Sequence, residues 1–206
     1  MKILVGSVFA AALSASAANA GTIPYPNVGT PNPDVYTFTA TADGPITAYF
    51  AGSGASFEEV VGLYVNGVST GITGLNDHTS SLGDSVVLAP SVHAGDTLTF
   101  VDYITPNIGG APATGLTWYS NPALNGGDNH VYSTSATAGQ VYAGSPAGTY
   151  VAFEDLPFAV SDFNYFDDTF VFTNVSTVAT PGPMPGAGVA GLALLALYGA
   201  ARLRRA

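Results

Sequence analysis

Every fixed positive charge of this chain lies at its ends: Lys2 at one, Arg202, Arg204 and Arg205 at the other. All 14 Asp and Glu residues fall between them, giving a formal net charge of −10. Any fold built from that interior must place its carboxylates with no Lys or Arg as counter-charge. Water and metal cations are the partners that remain. An anionic surface of this kind also repels phosphate, which excludes nucleic acid as a partner.

The two ends read as addressing signals rather than as parts of the fold. Lys2 followed by the apolar run 3–13 is the start of a signal peptide over 1–20, and Ala18-Asn19-Ala20 offers small residues to signal peptidase. Cleavage is expected between Ala20 and Gly21. The run is too short for a span. Cysteine is absent, so an exported domain would stand without disulfides. At the other end, Pro181-Gly182-Pro183-Met184-Pro185-Gly186-Ala187-Gly188 leads into an apolar stretch without a polar face, closed by Arg202, Arg204 and Arg205. Residues 186–206 are expected to form a transmembrane helix with an Arg-rich tail, short for a core of ~30 Å. The arginines would be held on the cytoplasmic side. Residues 177–185 form the expected linker and sorting motif.

This three-part tail resembles the PEP-CTERM sorting signals of Gram-negative bacteria, and is similar to the variants with a PGPxxGAG-type motif. The usual Pro-Glu-Pro is replaced by Pro181-Gly182-Pro183. The resemblance implies an exosortase, a membrane-embedded cysteine transpeptidase, as processing partner. It also implies a precursor anchored transiently in the inner membrane and then delivered to the cell surface or outside. Exopolysaccharide and biofilm are the implied setting.

Residues 21–176 are the size of one domain. Short β-branched and aromatic runs recur, among them Val35–Thr39, Ile46–Phe50, Val60–Val65, Thr97–Val101, Tyr150–Phe153 and Thr169–Phe172. Asp43-Gly44-Pro45, Asn66-Gly67, Ala94-Gly95-Asp96 and Asn125-Gly126-Gly127-Asp128 separate runs as turn signals, Asn66-Gly67 being a hairpin signal. The pattern predicts an all-β, antiparallel β-sandwich of the jelly-roll-like kind.

Candidate chemistry gathers after Trp118. Phe153-Glu154-Asp155-Leu156 is followed by Ser161-Asp162-Phe163-Asn164-Tyr165-Phe166-Asp167 and an apolar run. The stretch resembles a domain of unknown function widespread in secreted bacterial proteins, with the signature F-E-D-L, a gap, then S-D-x-D-Y-N-D. Asn164 and Phe166 depart from that signature, as does Asn129, inserted before His130 in an upstream N-x-x-G-x-D-H-V phrase. Independently of the resemblance, Asp162, Asn164 and Asp167 crowd oxygen donors into one loop, with Glu154 and Asp155 at the preceding strand end. Ca²⁺ takes six to eight such oxygens, so Glu154, Asp155, Asp162, Asn164 and Asp167 are the expected calcium ligands. The competing reading gives Asp162 and Asn164 to Asx-turns that bind nothing. The loop is not an EF-hand, lacking its turn glycine and closing glutamate.

Other sites are weaker. His78, His93 and His130 lack zinc-ligand spacing and read as surface or turn histidines. No G-x-S-x-G elbow occurs. A Glu154/Asp168 acid–base pair would make a glycoside hydrolase, but no spacing rule singles it out. Trp118, Tyr119 and Tyr132 are open to two readings, stacking on sugars or lying in the core. The expected role is therefore structural or adhesive rather than enzymatic, with a secreted hydrolase acting on matrix polysaccharide as the alternative. Replacing Arg202, Arg204 and Arg205 with Ser should trap or divert the precursor in cell fractionation; normal release would contradict the sorting reading.

Overall fold

Asn66 and Gly67 both adopt positive φ, 50° and 78°, the left-handed pair that a two-residue hairpin turn demands. They join strand β3 (Glu59–Val65) to β4 (Val68–Gly74), and the Asn66 side chain clamps the neighbouring turn by accepting from Thr97 N and donating to Asp96. This computed structural model describes residues 22–182, and β-structure dominates throughout them.

The other strands are β1 (Asp34–Ala40), β2 (Gly44–Ser53), β5 (Ser85–Val92), β6 (Thr97–Ile104), β7 (Leu116–Tyr119), β8 (Val131–Ala136), β9 (Gly148–Phe153), β10 (Asp168–Thr173) and β11 (Val175–Pro181). Among the described residues the helical element is the 3-10 turn Pro122–Asn125, capped by Asn121. One sheet runs β11-β1-β6-β3-β4, with β7 continuing along the β6 edge that β1 leaves uncovered. The second runs β5-β2-β10-β9-β8. All pairings are antiparallel.

Alternation decides which residues turn inward, because successive side chains on a strand point to opposite faces. Phe38, Val61, Leu63, Leu98 and Phe100 from the first sheet meet Ile46, Phe50, Leu88, Val151, Phe170 and Phe172 from the second in one apolar cluster. Phe100 stacks on Phe172 at 3.9 Å between centroids, joining the sheets at the middle. The opposite face of the second sheet carries a smaller cluster around Tyr150, Val171, Tyr25 and Tyr165.

The runs and turns expected from the sequence coincide with strands and their connections. Residues 177–181 differ from expectation: β11 pairs with β1 from Ala40↔Val175 through Asp34↔Pro181, so this part of the expected linker is sheet. Thr177, Val178 and Thr180 suit an extended edge. Gly182 N then donates to Pro33 O. The signal peptide, the cleavage site (Ala18, Ala20, Gly21), Pro183, the helix expected over 186–206, and Arg202, Arg204 and Arg205 lie outside the described residues. Among the described residues no helix is long and apolar enough to cross a membrane.

Truncating the central aromatics should test this core. Phe100→Ala or Phe172→Ala should each lower the urea unfolding free energy by about 3–5 kcal/mol. Phe166→Ala, at a partly exposed position, should cost less than about 1 kcal/mol by the same measurement.

Candidate metal centre

The inward register that supplies Phe170 and Phe172 on β10 also turns Asp168 inward, two residues earlier. On β3 the inward series Leu63, Val61 continues to Glu59, and on β6 Leu98, Phe100 continues to Asp102. Val61 pairs with Asp102, and Asp168 pairs with both Ser53 and Phe153. Three carboxylates therefore project into the space between the sheets at one end of the apolar core. Glu59, Asp102 and Asp168 are each 0% exposed, and one oxygen of each lies within 4.8 Å of the others.

A second triad adjoins the first. Glu154 and Asp155 follow the end of β9, and Asp167 precedes β10; all three are buried, again with ligand oxygens within 4.8 Å of one another. Asp167 Oδ2 accepts from Asp155 N at 3.0 Å. Asp102, Asp168 and Asp155 all act electrostatically on the Glu59 carboxyl, so the two triads form one acidic region. As anions none of these groups offers a hydrogen. Both oxygens of Glu59, Asp102, Asp168 and Glu154 lack a hydrogen-bond partner.

Surrounding groups fix the backbone of this region. Trp118 Nε1 donates to Asp155 O at 2.6 Å, and the Trp118 ring stacks on His130 at 3.8 Å. His130 Nδ1 lies 2.9 Å from Glu154 O; a carbonyl only accepts, so Nδ1 carries the hydrogen. Burial lowers the His130 pKa and keeps the ring neutral. Asp77 Oδ1 accepts from Glu59 N and Oδ2 from Ser53 Oγ, with His78 Nε2 3.5 Å from that same Oδ2. Tyr165, at φ 50°, inserts its hydroxyl between Asn32 N and Asn129 O. Gly54 N donates to Phe166 O and Asp167 O. A Cβ on Gly54 would sit 2.6 Å from the Phe166 ring, so glycine is what lets the strand end approach the loop.

The structure thus brings together Glu154, Asp155 and Asp167 of the expected ligands. Asp162 and Asn164 have other partners. Asp162 accepts from Asn164 N and Nδ2, while Asn164 Oδ1 accepts from Phe166 N. These are Asx-turns, repeated by Ser161 Oγ and Phe163 N. They wind the loop tightly enough to place Asp167 inward. Asp162 still acts electrostatically on Glu154 and Asp167. His130 differs from the expected surface histidine: it is buried, because Trp118 covers it. Sequence reading missed Glu59 and Asp102, and took Asp168 only as a possible acid. Their signal was a carboxylate in the apolar register of a strand.

The electrostatics follow from burial without counter-charge. Two unit charges about 4.8 Å apart repel by roughly 3 kcal/mol even at an effective dielectric of about 20. Desolvation, reinforced by Asp167, raises Glu154 and Asp155 to about 7. Desolvation and their neighbours push Asp102, Asp168 and Glu59 well above the carboxylate range, and burial raises Asp167. Oxygens 2.3–2.6 Å from a Ca²⁺ ion lie up to about 5 Å apart, the span seen in both triads. All-oxygen donors of this type fit a hard divalent cation, which converts mutual repulsion into attraction.

Comparison with known proteins adds no identity: no family model, no curated protein and no solved structure matches the chain.

The raised carboxyls give chelated protein a distinctive pH response. The fold holds protons on Glu154 and Asp155 up to about 7, against ordinary carboxyl values of 4.5 and 3.8. The unfolded chain therefore binds fewer protons in that window, and stability falls as pH rises through it. In EDTA the urea midpoint should drop from about pH 5 to about pH 8. Saturating Ca²⁺ should remove or reverse the drop, since the ion competes with those protons. A chelated midpoint that climbs over the same range would contradict the assignment.

Proposed function

We propose that this chain is an exported cell-surface or extracellular-matrix protein, sorted by an exosortase, whose body is a calcium-stabilised β-sandwich of the jelly-roll-like kind. Its role is structural or adhesive, in association with exopolysaccharide or biofilm. One observation carries the calcium reading: Glu154, Asp155 and Asp167 are buried together where the described residues contain no Lys or Arg. A site of this kind fills where calcium is plentiful, as it is for extracellular modules with dissociation constants of about 10⁻⁴–10⁻³ M. Export and cation binding are thus consistent requirements of the same sequence.

A surface feature supports a glycan partner. Tyr64 and Tyr119, with ring centroids 6.0 Å apart, line a concavity of about 540 Å³ together with Thr97, Thr99 and Asn121. Uncharged aromatic and hydroxyl groups suit a neutral sugar ring. Of the three aromatics singled out in the sequence, Tyr119 is the one in this concavity. Trp118 stacks on His130, and Tyr132 packs with Tyr25 and Tyr150. The alternative, a matrix-polysaccharide hydrolase using Glu154 and Asp168, is disfavoured because both carboxyls are buried and neither lines this concavity.

Thermal unfolding and glycan retention in calcium and in EDTA test the proposal together. Chelation should lower Tm by several degrees, and Asp167→Asn should shrink the difference between the two conditions. Exopolysaccharide should retain the calcium-loaded protein without release of reducing sugar. An identical melting curve in EDTA would refute the calcium reading, and steady sugar release would favour the hydrolase.

A further inference from the structure

We propose that Glu59, Asp102 and Asp168 form a second divalent-cation site, in which one calcium ion is held between the two sheets. The ion's identity rests on the calcium reading above; the residues that hold it do not.

Three observations carry the assignment. First, the ligands come from both layers: Glu59 on β3 and Asp102 on β6 belong to one sheet, and Asp168 on β10 to the other. An ion there ties the sheets where the apolar cluster ends, a position at which three anions would otherwise face one another. Second, all six oxygens of these carboxyls are buried and lack a hydrogen-bond partner. Buried polar groups are almost always satisfied, and a carboxylate removed from water without a partner carries a large desolvation penalty. Asp77 does not relieve them: its oxygens already accept from Glu59 N and Ser53 Oγ. Third, the donors brought together are all carboxylate oxygens, one from each residue within 4.8 Å of the others, the ligand type that calcium takes. Mg²⁺ usually keeps several of its own waters, which suits a fully buried triad poorly. Zinc favours nitrogen or sulfur, and neither occurs in this triad.

Asp155 acts electrostatically on Glu59, so the two ions would be neighbours. Two dications then face six carboxylates. The two ions cancel four of the six negative charges, so most of the repulsion is removed without a basic side chain.

Native mass spectrometry of the full chain, stripped with EDTA and returned to Ca²⁺, counts the ions directly. The expected result is two per wild-type chain, one in Asp102→Asn and one in Asp167→Asn. One ion in the wild type, lost in Asp167→Asn and kept in Asp102→Asn, would overturn the second site while leaving the proposed function standing. No ion at all would overturn both. One ion lost in Asp102→Asn but kept in Asp167→Asn would support the inter-sheet site and remove the outer one. Should Asp102→Asn fail to fold, the wild-type count still decides, and Glu59→Gln offers a near-isosteric substitute expected to retain one ion.

Discussion

Burial of carboxylates without basic partners governs this protein. Six acids converge at one end of the interior, and the described chain contains no Lys or Arg to neutralise them. Most domains manage buried acids by pairing them or leaving them at the surface. Here the sheets enforce the convergence, because the strands that bury Phe100, Phe170 and Leu63 also carry Asp102, Asp168 and Glu59 on the same faces. The aromatic core supplies the stabilisation that holds the arrangement, and the proposed cation would relieve the repulsion that core packing creates. Stability and ion binding would then be one property of the fold.

The loop 161–167 shows how local chemistry serves that end. Ser161, Asp162 and Asn164 each accept a backbone N–H two residues ahead. This winds the chain through left-handed Phe163 and Tyr165. Tyr165 then anchors the loop to Asn32 and Asn129 through its buried hydroxyl. The polar residues most suggestive of metal ligands are thus largely scaffolding, while Asp167 is the one delivered inward. On the other side, Trp118 and His130 hold the carbonyls of Asp155 and Glu154, leaving those carboxyl groups to face Asp167.

Much of the fold was legible in residue types. Period-two runs marked strands, Asn66-Gly67 marked its hairpin, and the turn at Ala94-Gly95-Asp96 lay where its glycine indicated. The extension of β11 through Pro181 was not legible, since a Thr/Val/Ala stretch becomes an edge strand only when a neighbour such as β1 offers free hydrogen-bonding groups. Half of the acidic region was also visible: Glu154, Asp155 and Asp167 stood out by clustering along the chain. Glu59 and Asp102 are separated from them by many residues; each shares the apolar register of its strand, but that register does not say which other acids it will meet.

The sequence by itself determined that carboxylates in this body would have no fixed cation beside them, and that its segments would be strands. Both follow from composition and from side-chain periodicity, which are properties of the chain alone. Only the tertiary structure decided which acids meet. Register between strands sets which face Asp102, Glu59 and Asp168 occupy, and the packing of one sheet on the other sets the distance between them. Those are long-range choices made by burying the aromatic core, and the acidic site is their consequence.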